Sequence, residues 1–168
     1  MIAYIILTIV GLIVALVGAV GVYGSTLPAK HTASVSVTVN ASREQVWALI
    51  NDIEGFPTWL NDITKVEMLP VQEGNRVFRQ FIGRNSFVLV ETISEAPSRV
   101  KRTIADDNGP FTGSWDHVLT DAGNGQTTLT VTEEGTIKSA IPRAIMKLFF
   151  GYDYYLNRMA KQIKLKLG

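Results

Sequence analysis

The chain has 168 residues, 46% of them hydrophobic and 18% charged, with a formal net charge of +1 and a mean hydropathy of +0.17. So balanced a charge excludes the broad basic surface that nucleic-acid binding requires. Cysteine is absent, which excludes disulfides, thiolate metal sites and a cysteine nucleophile and leaves the redox compartment open.

The apolar excess is concentrated at the front. No charged residue precedes Lys30, and "IAYIILTIVGLIVALVGAVGVYG" is an uninterrupted apolar run. About 20 residues rising 1.5 Å each cover the roughly 30 Å of a bilayer core. A cleaved signal peptide would carry a basic start, a shorter apolar run and a small-x-small cleavage site. The reading is therefore an uncleaved single-pass membrane anchor over residues 1–24, a linker over 25–32 and a folded domain over 33–168. Lys30 and Arg43 follow the run and lean the domain toward the cytoplasmic side, which is otherwise open. Gly11, Ala15 and Ala19 recur every four residues, the small-xxx-small spacing of weakly self-associating membrane helices.

"GSTLPAKHTA" is polar and contains Gly24 and Pro28, as a linker would. "SVSVTV" then alternates, Val35, Val37 and Val39 on one face and Ser34, Ser36 and Thr38 on the other, which predicts a half-buried strand. Asn40 and Ser42 offer capping oxygens to a helix through Val46, Trp47, Leu49 and Ile50. Gly55 and Pro57 break it before a second short helix with Trp59 and Leu60. Strand-like segments follow: "ITKVEMLPV", "NRVFRQFI", "SFVLVETISEA", "RVKRTIA", "FTGSWDHVLT" and "QTTLTVTEEGTI". The short turns between them, one of them Asp106-Asp107-Asn108-Gly109-Pro110, predict an antiparallel meander. Finally Ile141, Ile145, Leu148, Tyr152, Leu156, Met159, Ile163 and Leu167 fall at three- and four-residue steps, predicting one long amphipathic helix. Gly151 marks a bend in it. The fold class is α+β: a curved antiparallel sheet of about seven strands, two short helices and a long C-terminal helix, with room for a cavity between sheet and helix.

Three segments carry a family resemblance: "SVTVNASREQVWALINDIEGFPTWLNDITKVEML", "GPFTGSWDHVLTDAGNGQTTLTVTEEGTI" and the terminal helix. In this order they resemble the START-like, or SRPBCC, superfamily with the helix-grip fold, over roughly residues 32–167. That group includes pollen-allergen-like binders, lipid-transfer domains, coenzyme Q-binding proteins and polyketide cyclases/dehydrases, and some members begin with an apolar segment. The resemblance implies a pocket for an apolar or amphipathic molecule. It does not settle an activity, because one fold hosts carriers, sensors and enzymes.

Strand parity places candidate polar groups on the apolar faces. His117 shares a face with Phe111, Trp115 and Leu119, Glu133 with Leu129 and Val131, and Arg102 with Val100 and Ile104. His117 and Glu133 are candidates for an acid/base pair, with Arg102 holding an oxygen. The ordinary alternative is that His117 is a hydrogen-bonded wall residue and that Glu133 pairs with Arg102 or lies at an exposed strand end. Arg79 and Gln80 cannot be assigned a face, since both parities of their strand are apolar. Trp47, Trp59, Trp115, His117, Leu129, Val131, Glu133, Phe149 and Tyr152 are expected to contact ligand.

No protein-built metal site or cofactor is expected, since His31 and His117 are the only histidines and form no HxxxH or HExxH spacing. The expected partners are a hydrophobic small molecule (lipid, quinone or polyketide-like) and the membrane, with no nucleic acid. Two other functions stay open: a cyclase/dehydratase using His117 and Glu133, and an interaction module whose vestigial pocket encloses less than about 300 Å³.

Overall fold

The structure is a computed structural model describing residues 1–106 and 108–168; Asp107, in one of the expected turns, lies outside the described residues. Helix α1 spans Ile2–Thr26; it is long and apolar enough to cross a membrane and is exposed except near its C-terminal end, where Gly24 is buried. The helix runs through Ser25 and Thr26, whose hydroxyls bond back to the carbonyls of Val22 and Tyr23, both at 2.7 Å. Strand β1 (Lys30–Val39) begins at once. The polar stretch expected as a linker thus shrinks to Leu27, Pro28 and Ala29.

The alternation of β1 holds. Ala33 and Val39 are buried, while Ser34, Ser36 and Thr38 point outward and meet Thr132, Thr130 and Thr128 at 3.0, 2.8 and 2.8 Å. Helix α2 (Arg43–Asn51) starts with a capping box between Ser42 and Gln45. A single 3₁₀ turn, Phe56–Thr58, follows around Pro57. Together they bury Val46, Ile50, Ile53, Phe56, Trp59 and Leu60 in the core.

The six expected strands form as β2 (Ile63–Gln72), β3 (Asn75–Ile82), β4 (Asn85–Glu95), β5 (Arg99–Ile104), β6 (Phe111–Gly123) and β7 (Gln126–Ile137). They make one seven-stranded sheet in the order β1-β7-β6-β5-β4-β3-β2. Every neighbouring pair is antiparallel. The starts of β1, β2, β4 and β6 therefore share one end of the sheet with the ends of β3, β5 and β7. That end adjoins the last turn of α1.

The C-terminal helix departs from expectation. It is helix α3 (Ala140–Ile145), a π-helical turn (Met146–Phe150) and helix α4 (Tyr154–Leu167), separated at Gly151. Gly151 has φ 78° and ψ 158°, a conformation glycine adopts without steric cost. α4 buries Leu156 and Ile163 against the sheet, and its end is fixed where the Asn40 amide donates to the Gly168 carbonyl at 3.0 Å. α3 instead packs against α1. A side chain at Gly24 would collide with the Ala140 backbone, and Arg143 Nη1 donates to the Leu27 carbonyl at 2.8 Å. Ile141, Ile145 and Leu148, expected on the covered face of the helix, and Phe149, expected to contact ligand, are exposed. The architecture is α+β helix-grip with its terminal helix in two pieces.

Candidate functional site

Between the sheet and α4 lies a partly open cavity of about 120 Å³. Ile50, Phe56, Trp59 and Leu60 wall it on the side of α2 and the 3₁₀ turn; Ile63, Leu89 and Trp115 come from the sheet and Met159 from α4. Three polar side chains reach it: Gln80, Arg102 and His117. Arg102 and His117 arrive by the expected parity. Gln80 shows that this parity of β3 faces the cavity.

Arg102 is bonded to protein through Nε and Nη2. It donates to Glu91 Oε1 from Nε and Nη2 (3.1 and 2.9 Å), to the Ile50 carbonyl (2.8 Å) and to Asn51 Oδ1 (3.2 Å). Glu91 also accepts from Arg76 Nε and Nη2 at 2.7 and 2.9 Å. Asn51, at the end of α2, accepts from Arg76 Nη2 at 2.8 Å. This network ties α2 to β3, β4 and β5. Burial pushes the Arg102 pKa down and Glu91 pulls it back up, yet a guanidinium stays charged at any working pH. Two arginines on one carboxylate leave the wall with excess positive charge.

That charge acts on His117. Burial, reinforced by Arg102, pushes the imidazole from 6.5 down to about 3, against the opposing influence of the Val100 and Trp115 backbone and of Asp116. The ring is neutral at physiological pH. A base this weak is poorly matched to proton transfer near neutrality. Among the described residues, no hydrogen-bond partner reaches His117 Nδ1 or Trp59 Nε1, and both atoms are buried. Both residues line the cavity.

Glu133 belongs to a neighbouring cluster. It accepts from Trp115 Nε1 at 3.0 Å and lies 3.2 Å from His31 Nε2. The His31 ring stacks on Tyr152 with centroids 4.2 Å apart. Glu133 is paired across β6 and β7 with Trp115, whereas His117 stands opposite Val131. His117, Glu133 and Arg102 are thus distributed over two networks, with Glu91 as the carboxylate partner of Arg102 and His31 as the imidazole beside Glu133.

Of the expected ligand contacts, Trp59, Trp115 and His117 line the cavity. Leu129 and Val131 are buried core, and Trp47 packs half-buried against it. Tyr152 caps the Glu133 cluster. Phe149 is 75% exposed, because the break at Gly151 turns it away from the sheet. Residues that sequence reasoning missed are Glu91, Arg76 and His31. His31 had a signal: it continues the inward parity of Ala33, Val35 and Val37. So did Glu91, which follows Phe87 and Leu89.

Residues 30–158 match the family described as polyketide cyclase / dehydrase and lipid transport. The chain belongs to this family. Among curated proteins, nothing matches. Solved structures share the helix-grip fold at low identity. A START superfamily protein from Mycobacterium smegmatis is 18% identical with a TM-score of 0.65, over 82% of this chain and 97% of its own. The ZhuI aromatase/cyclase from a Streptomyces species is 15% identical with a TM-score of 0.67, over 82% and 93%. Norcoclaurine synthase from Thalictrum flavum is 13% identical with a TM-score of 0.60, over 80% and 91%. In this polyketide cyclase/dehydrase family member the helix-grip cavity is narrow and its acid/base candidates are held apart.

Proposed function

We propose that the domain binds the oxygen-bearing head of a hydrophobic or amphipathic molecule (a lipid, quinone or polyketide-like compound) and does not catalyse its conversion. The observation that carries this is that Trp59 and His117, both lining a mainly apolar cavity, each keep a buried ring nitrogen, Nε1 and Nδ1, without a partner among the described residues. Buried polar atoms without partners are costly, and a ligand oxygen accepting from Trp59 Nε1 removes that cost. The surplus positive charge of Arg76 and Arg102 over Glu91 favours such an electronegative group. A cavity of about 150 Å³ takes a benzene ring, so 120 Å³ suits a smaller head group or a few carbons, with the remainder of the ligand outside. The volume falls below the threshold set for a vestigial pocket; the unpaired nitrogens argue against that alternative. The depressed His117 pKa and the pairing of Glu133 with Trp115 and His31 argue against cyclase chemistry through these residues.

α1 serves as a retained membrane anchor in this reading, supported by its packing against α3 at Gly24 and its cap by Arg143. Lys30, Arg143 and Lys147 near its C-terminal end support a cytoplasmic domain. The anchor keeps the cavity where apolar ligands are concentrated. Native mass spectrometry of the detergent-extracted full chain tests the proposal. A co-purifying apolar molecule, lost on Trp59→Phe combined with His117→Leu, is the expected result. A bare protein, or one whose bound molecule is indifferent to both changes, overturns it.

A further inference from the structure

α3 and the π-helical turn present an apolar surface that the folded domain leaves uncovered. Ile141, Ile145, Leu148, Phe149 and Phe150 are exposed, Leu148 by 54% and Phe149 by 75%. A run of this kind is rare on a soluble surface and marks a contact. Its position identifies the occupant. A Cβ on Gly21 would lie 3.8 Å from Ile141, and one on Gly24 would strike Ala140. α3 therefore begins beside the last turns of the uncharged helix α1. The 25 residues of α1 span about 37 Å, more than the roughly 30 Å of a hydrocarbon core, so those turns belong to the headgroup layer. Charge agrees: between Glu134 and Asp153 the chain has no acidic residue, only Lys138, Arg143 and Lys147. Aromatic and basic side chains on one short segment are the composition of an interfacial membrane element.

We infer that α3 and the π-helical turn form a second membrane-inserted element, lying in the headgroup layer beside α1 with Leu148, Phe149 and Phe150 dipping to the acyl boundary. The inference rests on the reading of α1 as a membrane anchor and adds the orientation of the domain. Two attachments, one spanning and one in the plane, fix which end of the sheet faces the lipid. It is the end where β2, β4 and β6 begin, with the half-buried rings of Phe87, Phe111 and Tyr152.

The absence of native cysteine permits a direct test. Single variants Phe149→Cys, Leu12→Cys and Gln72→Cys of the full chain are spin-labelled and reconstituted into phosphatidylcholine vesicles. Accessibility to oxygen and to a water-soluble nickel chelate is read by power saturation. The expected oxygen-to-nickel ratio at position 149 lies below that at 12, in the membrane interior, and exceeds that at 72 by roughly threefold or more. A label at 149 as nickel-accessible as that at 72, with 12 still in lipid, overturns this inference alone. A label at 12 in water overturns the anchor reading and this inference with it. Shielding of 149 from both reagents with spin–spin broadening means that a second copy covers the surface, which also overturns it.

Discussion

Protonation of His117 should set the acid limit of this domain. Its imidazole is held at about 3 in the folded protein against 6.5 for a free group. Between those values the unfolded chain binds a proton that the native state refuses, so stability rises with pH and is lost as pH falls from about 6.5 toward 3. From pH 7 to pH 5 the loss depends only on the unfolded value, as long as the folded one lies below 5. It amounts to about 2 kcal/mol from this residue. Urea unfolding of the full chain in a nonionic detergent, followed by tryptophan fluorescence at the two pH values, measures it. His117→Gln has no such titration, so the wild type should lose about 2 kcal/mol more than the variant over this interval. Carboxylates common to both proteins cancel in the difference. Equal losses, or a His117 ring-proton titration centred near 6.5 by NMR, would refute the argument that burial and Arg102 keep the ring neutral.

Other substitutions probe the remaining parts. Arg102→Met leaves Glu91 with Arg76 alone and strips a donor from the Ile50 carbonyl; it should cost about 3 kcal/mol by the same unfolding assay. Trp59→Phe keeps the wall but removes the unpaired donor, and should weaken retention of any co-purifying molecule about tenfold by competition in native mass spectrometry. Gly24→Leu drives a side chain into the Ala140 backbone and should part α1 from α3; limited trypsin digestion in micelles should then cut after Arg143 several-fold faster.

Most of the sheet was legible because its faces differ in polarity. Where one face is buried, period-two alternation fixes parity, and His117, Arg102 and Glu133 all point inward as their strands predict. Parity says which way a side chain points and nothing about which neighbour it meets. Parity offers Glu133 to Arg102, whose partner is Glu91 on the adjacent strand in the other direction. β3 resisted because Val77 and Phe78, on opposite faces, are both fully buried. The C-terminal helix misled for a different reason. Ile141, Ile145 and Leu148 keep helical spacing with Leu156, Met159 and Ile163, but the first group is exposed beside α1 and the second packs on the sheet. Hydrophobic periodicity cannot distinguish those surroundings, and Gly151 was the only local sign that the rod is divided.

That division has a mechanical consequence. The Gly151 amide closes the π-helical turn on the Met146 carbonyl at 2.8 Å, and α4 restarts with Asn157 bonding to Asp153 at 2.9 Å. The joint is the three non-helical residues 151–153, so the direction of α3 is not imposed on α4 through helical hydrogen bonds. α4 stays seated at its far end by the Asn40–Gly168 bond, insulated like a shaft behind a universal coupling.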